Sequence, residues 1–201
     1  MTERPQKKSL SGEEINKLPL YRLQAPVRLV RTDVEVRRMR SRLKGEKILG
    51  FDTETKPSFR KGEKYLPSLV QLAGAREVFV VQLRRLKDLG WFRDILGNPR
   101  IIKAGVSLSF DVKQLQEIHP FEARGMVELA QLADEAGVSH NGLRGMAAAV
   151  LGYRISKAAQ RSDWSRLQLS RKQVLYAATD AWVCRELFVA LGDLRQQRDN
   201  G

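Results

Sequence analysis

One cysteine, two histidines and no long apolar run set the first limits on this 201-residue chain. Cys184 alone cannot close an internal disulfide, so a packed core must hold the fold, and a reducing compartment such as the cytoplasm is expected. A zinc site draws mainly on cysteine and histidine, so any metal here must be held mostly by oxygen. No stretch approaches the roughly 20 apolar residues that span a bilayer. The first 19 residues are polar and carry no signal-peptide core. No internal repeat or low-complexity tract interrupts the pattern. What the chain does have is 42% hydrophobic and 29% charged residues, enough for a core and a solvated surface.

Acidic residues are in short supply. Lys and Arg number 36 against 23 Asp and Glu, a net charge of +13. Such a surplus favours a polyanionic partner, nucleic acid above all, over a merely soluble basic protein. Residues 1–47 hold 13 basic and 6 acidic side chains, +7, about half of the total. Within them Arg37-Arg38-Met39-Arg40-Ser41-Arg42 lies in a helical pattern with Val34, Val36 and Leu43 as its apolar side. That run fits either a solvated helix face or a strip turned toward phosphates.

Residues 1–21 lack periodicity and contain Pro5, Gly12 and Pro19, which reads as a flexible or loosely docked basic arm before one domain over 22–201. Strands are expected at 27–30, 48–53, 68–73, 78–83 and 101–104, with a hairpin at Gly74-Ala75-Arg76. Helices are expected over 33–43 with Asp33 as N-cap, 86–96, 110–118, 126–136, 143–151 and from 169 or 170 to 194. Early strands and a helical finish imply a mixed sheet flanked by helices.

Three places carry carboxylates that need explaining. Asp52 and Glu54 end a strand and, two residues apart, share one face about 7 Å apart. Such a pair is either a solvated strand end or a cation site. Asp111 opens a helix just past the C-terminal end of strand 101–104, where the helix dipole favours an acid and where ligands of open α/β sheets gather. Asp180 lies in the last helix, which begins with a Ser170-x-x-Gln173 capping box. Tyr176, Asp180, Val183 and Leu187 form one stripe, and Ala177, Ala181, Cys184 and Phe188 a neighbouring one, so Asp180 faces the core. A buried carboxylate must be protonated, paired or bound to metal, and no Lys or Arg stands at the adjoining helical positions. Tyr176, one turn earlier, can bond Asp180 or meet the same water or ligand.

Together these segments resemble the motifs of the 3'-5' exonucleases that use four acids and a tyrosine, the ribonuclease D and Werner-type exonuclease domain. The likeness rests on Phe51-Asp52-Thr53-Glu54-Thr55, on Lys103-Ala104-Gly105-Val106 with Phe110-Asp111, and on Ser162-Asp163-Trp164-Ser165 with Tyr176-Ala177-Ala178-Thr179-Asp180. It covers about residues 27–191, and Leu175 stands where a sister subfamily has histidine. Ribonuclease D continues into further helical domains, so the resemblance is to the stand-alone bacterial versions. It implies an α/β, ribonuclease H-like fold with a five-stranded mixed sheet and helices on both faces. It implies that Asp52, Glu54, Asp111 and Asp180 hold two divalent cations, Mg²⁺ or Mn²⁺, and that Tyr176 orients the attacking water. The reaction would release nucleoside 5'-monophosphates from single-stranded 3' ends of DNA or RNA. Lys157 is a candidate phosphate contact. Trp164 is a candidate base-stacking residue or else a buried packing residue, and Asp163 a structural turn residue. The alternative from another class is a catalytically inactive nucleic-acid-binding module of the same fold. No membrane association is expected.

Overall fold

The structure, a computed structural model, describes residues 9–58, 60 and 62–199. Six strands are present among them: β1 Val27–Val30, β2 Ile48–Thr55, β3 Pro67–Ala73, β4 Val78–Gln82, β5 Ile102–Gly105 and β6 Met126–Glu128. They form one sheet in the order β1-β4-β3-β2-β5-β6. β2, β3 and β4 run antiparallel in its middle, while β1, β5 and β6 join their neighbours in parallel. The hairpin expected at Gly74 forms, with its N–H donating to Glu77 O at 3.0 Å. The sheet thus has one strand more than the five expected. The extra strand is β6, whose residues the sequence pattern assigns to a helix over 126–136. Three residues are too few for period-two alternation to show, and pairing with β5 decides their conformation.

Six α-helices among the described residues accompany the sheet: α1 Gly12–Lys17, α2 Asp33–Arg42, α3 Leu108–Ile118, α4 Leu129–Glu135, α5 Leu143–Met146 and α6 Arg171–Asp199. α5 runs on into a π-helical turn, Ala147–Leu151. Over 86–96, where a helix is expected, an irregular stretch that follows a 3-10 turn at Leu83–Arg85 leads into a π-helical turn at Phe92–Leu96. α2 is capped by Thr32, whose hydroxyl accepts from Glu35 N. Asp33, expected as the cap, reaches across to accept from Lys87 N and Asp88 N. The buried side of α2 is Val36, Met39 and Leu43, at helical spacing, while Val34 is exposed. Two of its arginines are ion-paired, Arg40 with Asp94 and Arg42 with Glu77, so the basic run is in part a paired surface.

Residues 1–8 of the expected arm lie outside the described residues. From Ser9 on, the segment packs. α1 opens with a capping box between Ser11 and Glu14, Leu10 N–H donates to His140 Nε2 at 2.8 Å, and Tyr21 stacks on Tyr153 with centroids 4.4 Å apart. These partners are some 130 residues distant, which is why local pattern does not reveal them.

β2 divides the core. Leu49 and Phe51 pack with Val36, Met39 and Leu115 under α2 and α3, whereas Gly50 turns to α6. A Cβ at Gly50 would sit 1.9 Å from Ala181 O and 2.7 Å from Arg185 N, so only glycine lets α6 lie this close to β2. Lys103, fully buried in β5, ties down the preceding loop by donating from Nζ to the carbonyls of Asn98 and Ile101, both at 2.8 Å. Among the described residues no helix is long and apolar enough to cross a membrane. The contact at Gly50 is backbone against backbone, so Gly50→Ala should lower stability by about 3 kcal/mol or more, at or above the usual overpacking range. A melting temperature equal to that of the unsubstituted chain would show that α6 can shift at no cost.

Candidate active site

Alternation along β2 delivers its acids to the α6 side, since Phe51 belongs to the opposite core layer. Asp180 meets them from α6, which starts from the expected box: Ser170 N donates to Gln173 Oε1 at 3.0 Å and Gln173 N to Ser170 Oγ at 3.2 Å. Ligand oxygens of Asp52, Glu54 and Asp180 all lie within 4.8 Å of one another, and Asp180 is only 6% exposed. No Lys or Arg among the described residues pairs with any of the three.

Asp111 arrives from the other side of β2. A sharp turn between β5 and α3 carries it, with Ser107 in the left-handed region at φ 61°. Glu128, at the end of β6, accepts from Ser107 N at 3.1 Å and Leu108 N at 3.0 Å and so fixes the start of α3. Asp111 stands outside the triplet and accepts from Thr53 Oγ1 at 2.8 Å. Thr53 sits between Asp52 and Glu54 on the strand, so that hydroxyl sets the fourth acid beside the other three.

Crowding these groups shifts their proton affinities upward. Burial, then Asp180 and Asp111, push Asp52 well above the carboxylate range. Burial and then Asp52 raise Glu54 to about 10. Burial alone lifts Asp180 to about 7, opposed by the hydrogen bond from Tyr176. Asp111 rises to about 6, mainly by burial. Tyr176 goes up too, through burial and then Asp180, so its hydroxyl stays protonated and is the donor to that acid. A cluster of unpaired carboxylates this costly is matched by a hard divalent cation, for which oxygen donors are the preferred set. The donor set therefore fits a divalent metal ion. Cys184 borders the same cavity, but burial holds its thiol in the protonated form.

A cavity of about 540 Å³ opens over the triplet, and Tyr176, Lys157, His140 and Arg144 also line it. Lys157 is exposed at its edge. Trp164, considered as a base-stacking residue, is 1% exposed and lies 5.8 Å from Tyr176, centroid to centroid. No base can reach it, because its ring is packed among Leu69, Ala159 and Ala177, where it backs Tyr176. Asp163 bonds the backbone N–H and the hydroxyl of Ser165, as expected of a turn residue. A slightly larger cavity, about 620 Å³, lies beyond α2, where Glu77 already pairs Arg28 and Arg42.

A 3'-5' exonuclease family profile matches residues 27–194, from β1 into the second half of α6. The chain belongs to the 3'-5' exonuclease family. It is 30% identical over 158 residues to DNA polymerase I of Aquifex aeolicus, covering 79% of this chain and 26% of the polymerase. To ribonuclease D of Gluconacetobacter diazotrophicus it is 30% identical over 167 residues, 81% of this chain and 42% of that one. The chain thus spans well under half the length of either relative. In fold it is similar to the EXO domain of Aedes aegypti Nibbler, with a TM-score of 0.80, 21% identity, and coverage of 89% and 94% of the two chains. The order of elements and the helices on both faces agree with the ribonuclease H-like fold expected.

Sequence reasoning misses Thr53, Glu128, His140 and Arg144. Only Thr53 leaves a local signal, as the residue between two site acids in one strand.

The raised acids make the site a source of instability. A carboxyl held at about 7 instead of 3.8 keeps its proton in the folded chain. Its support for folding is therefore complete at low pH and lost as pH climbs through about 7. Asp180→Asn should stabilise the metal-free protein at pH 8 by on the order of 2 kcal/mol, and by much less at pH 5. Urea denaturation in chelator at both pH values tests this. An equal or lower midpoint for the variant at pH 8 would mean that Asp180 is not under electrostatic strain.

Proposed function

We propose that this chain is a metal-dependent 3'-5' exonuclease that hydrolyses the terminal phosphodiester of DNA or RNA and releases nucleoside 5'-monophosphates. The observation that carries this reading is the unpaired triplet Asp52, Glu54 and Asp180 within 4.8 Å, beneath a cavity that also holds Tyr176. Asp52, Glu54, Asp180 and, beside them, Asp111 would hold two Mg²⁺ or Mn²⁺ ions. Such ions, when bound, neutralise charge on a phosphate and lower the pKa of a water molecule.

The chain's own groups do the rest. Asp180, deprotonated in the loaded site, accepts the Tyr176 O–H, which leaves the lone pairs of that phenol oxygen free to accept from and position the attacking water. Trp164 holds the tyrosine ring in place from behind. Thr53 keeps Asp111 turned toward the strand that carries Asp52 and Glu54. Lys157 lines the same cavity and would meet a phosphate of the substrate. The net charge of +13 favours the approach of a single-stranded 3' end. With Cys184 as the lone, buried thiol, the cytoplasm is the setting we propose.

Oligonucleotides labelled at the 5' end should shorten stepwise from the 3' end with Mg²⁺ or Mn²⁺, and stay intact with EDTA. Tyr176→Phe should retain metal binding and keep a residual rate about 10²–10³ below that of the unsubstituted chain, the range for one transition-state hydrogen bond. Trimming that survives chelation would refute the metal-dependent reading, and a wild-type rate in Tyr176→Phe would remove the tyrosine from it.

A further inference from the structure

The docked N-terminal segment contributes to the cavity over the acidic triplet. Ile15 of α1 is buried and lines it, together with Arg144 from α5. One guanidinium nitrogen of Arg144 donates to Asn16 Oδ1. Its Nε–H is buried and has no partner. Nor does Arg144 pair with a carboxylate among the described residues, although three lie in the same cavity lining. A guanidinium that lines the cavity and is held there by a neutral amide keeps its charge and further N–H donors for an acceptor that a ligand can supply. Its planar fork suits a phosphate, to which Arg bonds through two parallel N–H groups.

We propose that Arg144 grips a phosphate of the bound strand and that Asn16 aims it, making α1 part of the substrate-binding wall. This rests on the exonuclease reading, which supplies a phosphodiester at every nucleotide of the occupant. Arg144 then marks one end of the bound strand's path and the acid triplet the other, with Lys157 in the same lining. Asn16 is a positioning residue that acts only through Arg144. It is exposed and its substitution disturbs no core contact.

The full-length chain carrying Asp52→Asn allows binding of a fluorescent single-stranded oligonucleotide to be followed without cleavage. Adding Arg144→Ala should reduce the slope of log affinity against log salt by about 0.7, the value for one phosphate contact on a single strand. Arg144→Lys should keep that slope, because the charge remains. In the otherwise unsubstituted enzyme, Arg144→Ala should raise KM about tenfold or more, with a smaller effect on kcat and an unchanged melting temperature. Asn16→Ala should raise KM in the same direction and add nothing to Arg144→Ala. If the unsubstituted chain trims strands while Arg144→Ala leaves both the slope and KM unchanged, the Arg144 assignment falls alone. If the unsubstituted chain neither trims nor binds strands, the exonuclease reading falls and takes this assignment with it.

Discussion

The site depends on one contact without side chains, the approach of α6 to β2 at Gly50. With no Cβ in the way, the Ala181 carbonyl lies against the strand, and the residue before it, Asp180, is set over Asp52 and Glu54. A Cβ at position 50 would sit 1.9 Å from the Ala181 carbonyl oxygen, so a larger residue would push the helix outward and draw Asp180 away from the strand's acids. The three acids therefore meet because of backbone packing, and their mutual repulsion is borne by the core on both sides of the sheet. On the other side, Leu49 and Phe51 are fully buried against α2 and α3, so β2 cannot relax away from the helix.

That rigidity explains how carboxylates with such raised proton affinities stay together. Asp180 is buried and the other three are half-buried, and none of them pairs with a lysine or arginine among the described residues. The supports are neutral and local: Tyr176 donates to Asp180, Thr53 donates to Asp111, and Trp164 packs against the tyrosine ring. Neutral donors orient the acids without satisfying their charge, which leaves that to a cation. The cations of the chain's own making, Arg144 and Lys157, instead line the cavity, where a polyanion would lie. Attraction for metal and attraction for phosphate are thus kept on different side chains.

Much of this was legible in the sequence where local pattern and burial coincide. Asp180 inside an apolar stripe, the alternation of Asp52 and Glu54, and the Ser170–Gln173 box each carry their own physical anomaly. Five strands showed as apolar runs. β6 did not, because three residues have no periodicity and their pairing with β5 is a tertiary fact. The docking of residues 9–21 was hidden for the same reason, since α1 is six residues long and its partners lie near 140 and 154. Trp164 could be read either as a stacking ring or as a core ring. Its place against Tyr176, in a layer shared with Leu69 and Ala177, settles that it packs. Arg144 had no signal at all, being one arginine among many in a basic chain.

The four acids are proposed to form one site for two ions. Mn²⁺ titrated into the chelator-stripped protein and followed by electron paramagnetic resonance tests it without reference to turnover. Two equivalents should bind per chain, with a spectrum broadened by coupling between ions about 3.5–4 Å apart. Asp52→Asn should abolish the coupled signal. A single uncoupled equivalent, or binding unaffected by loss of Asp52, would rule out a shared two-ion site.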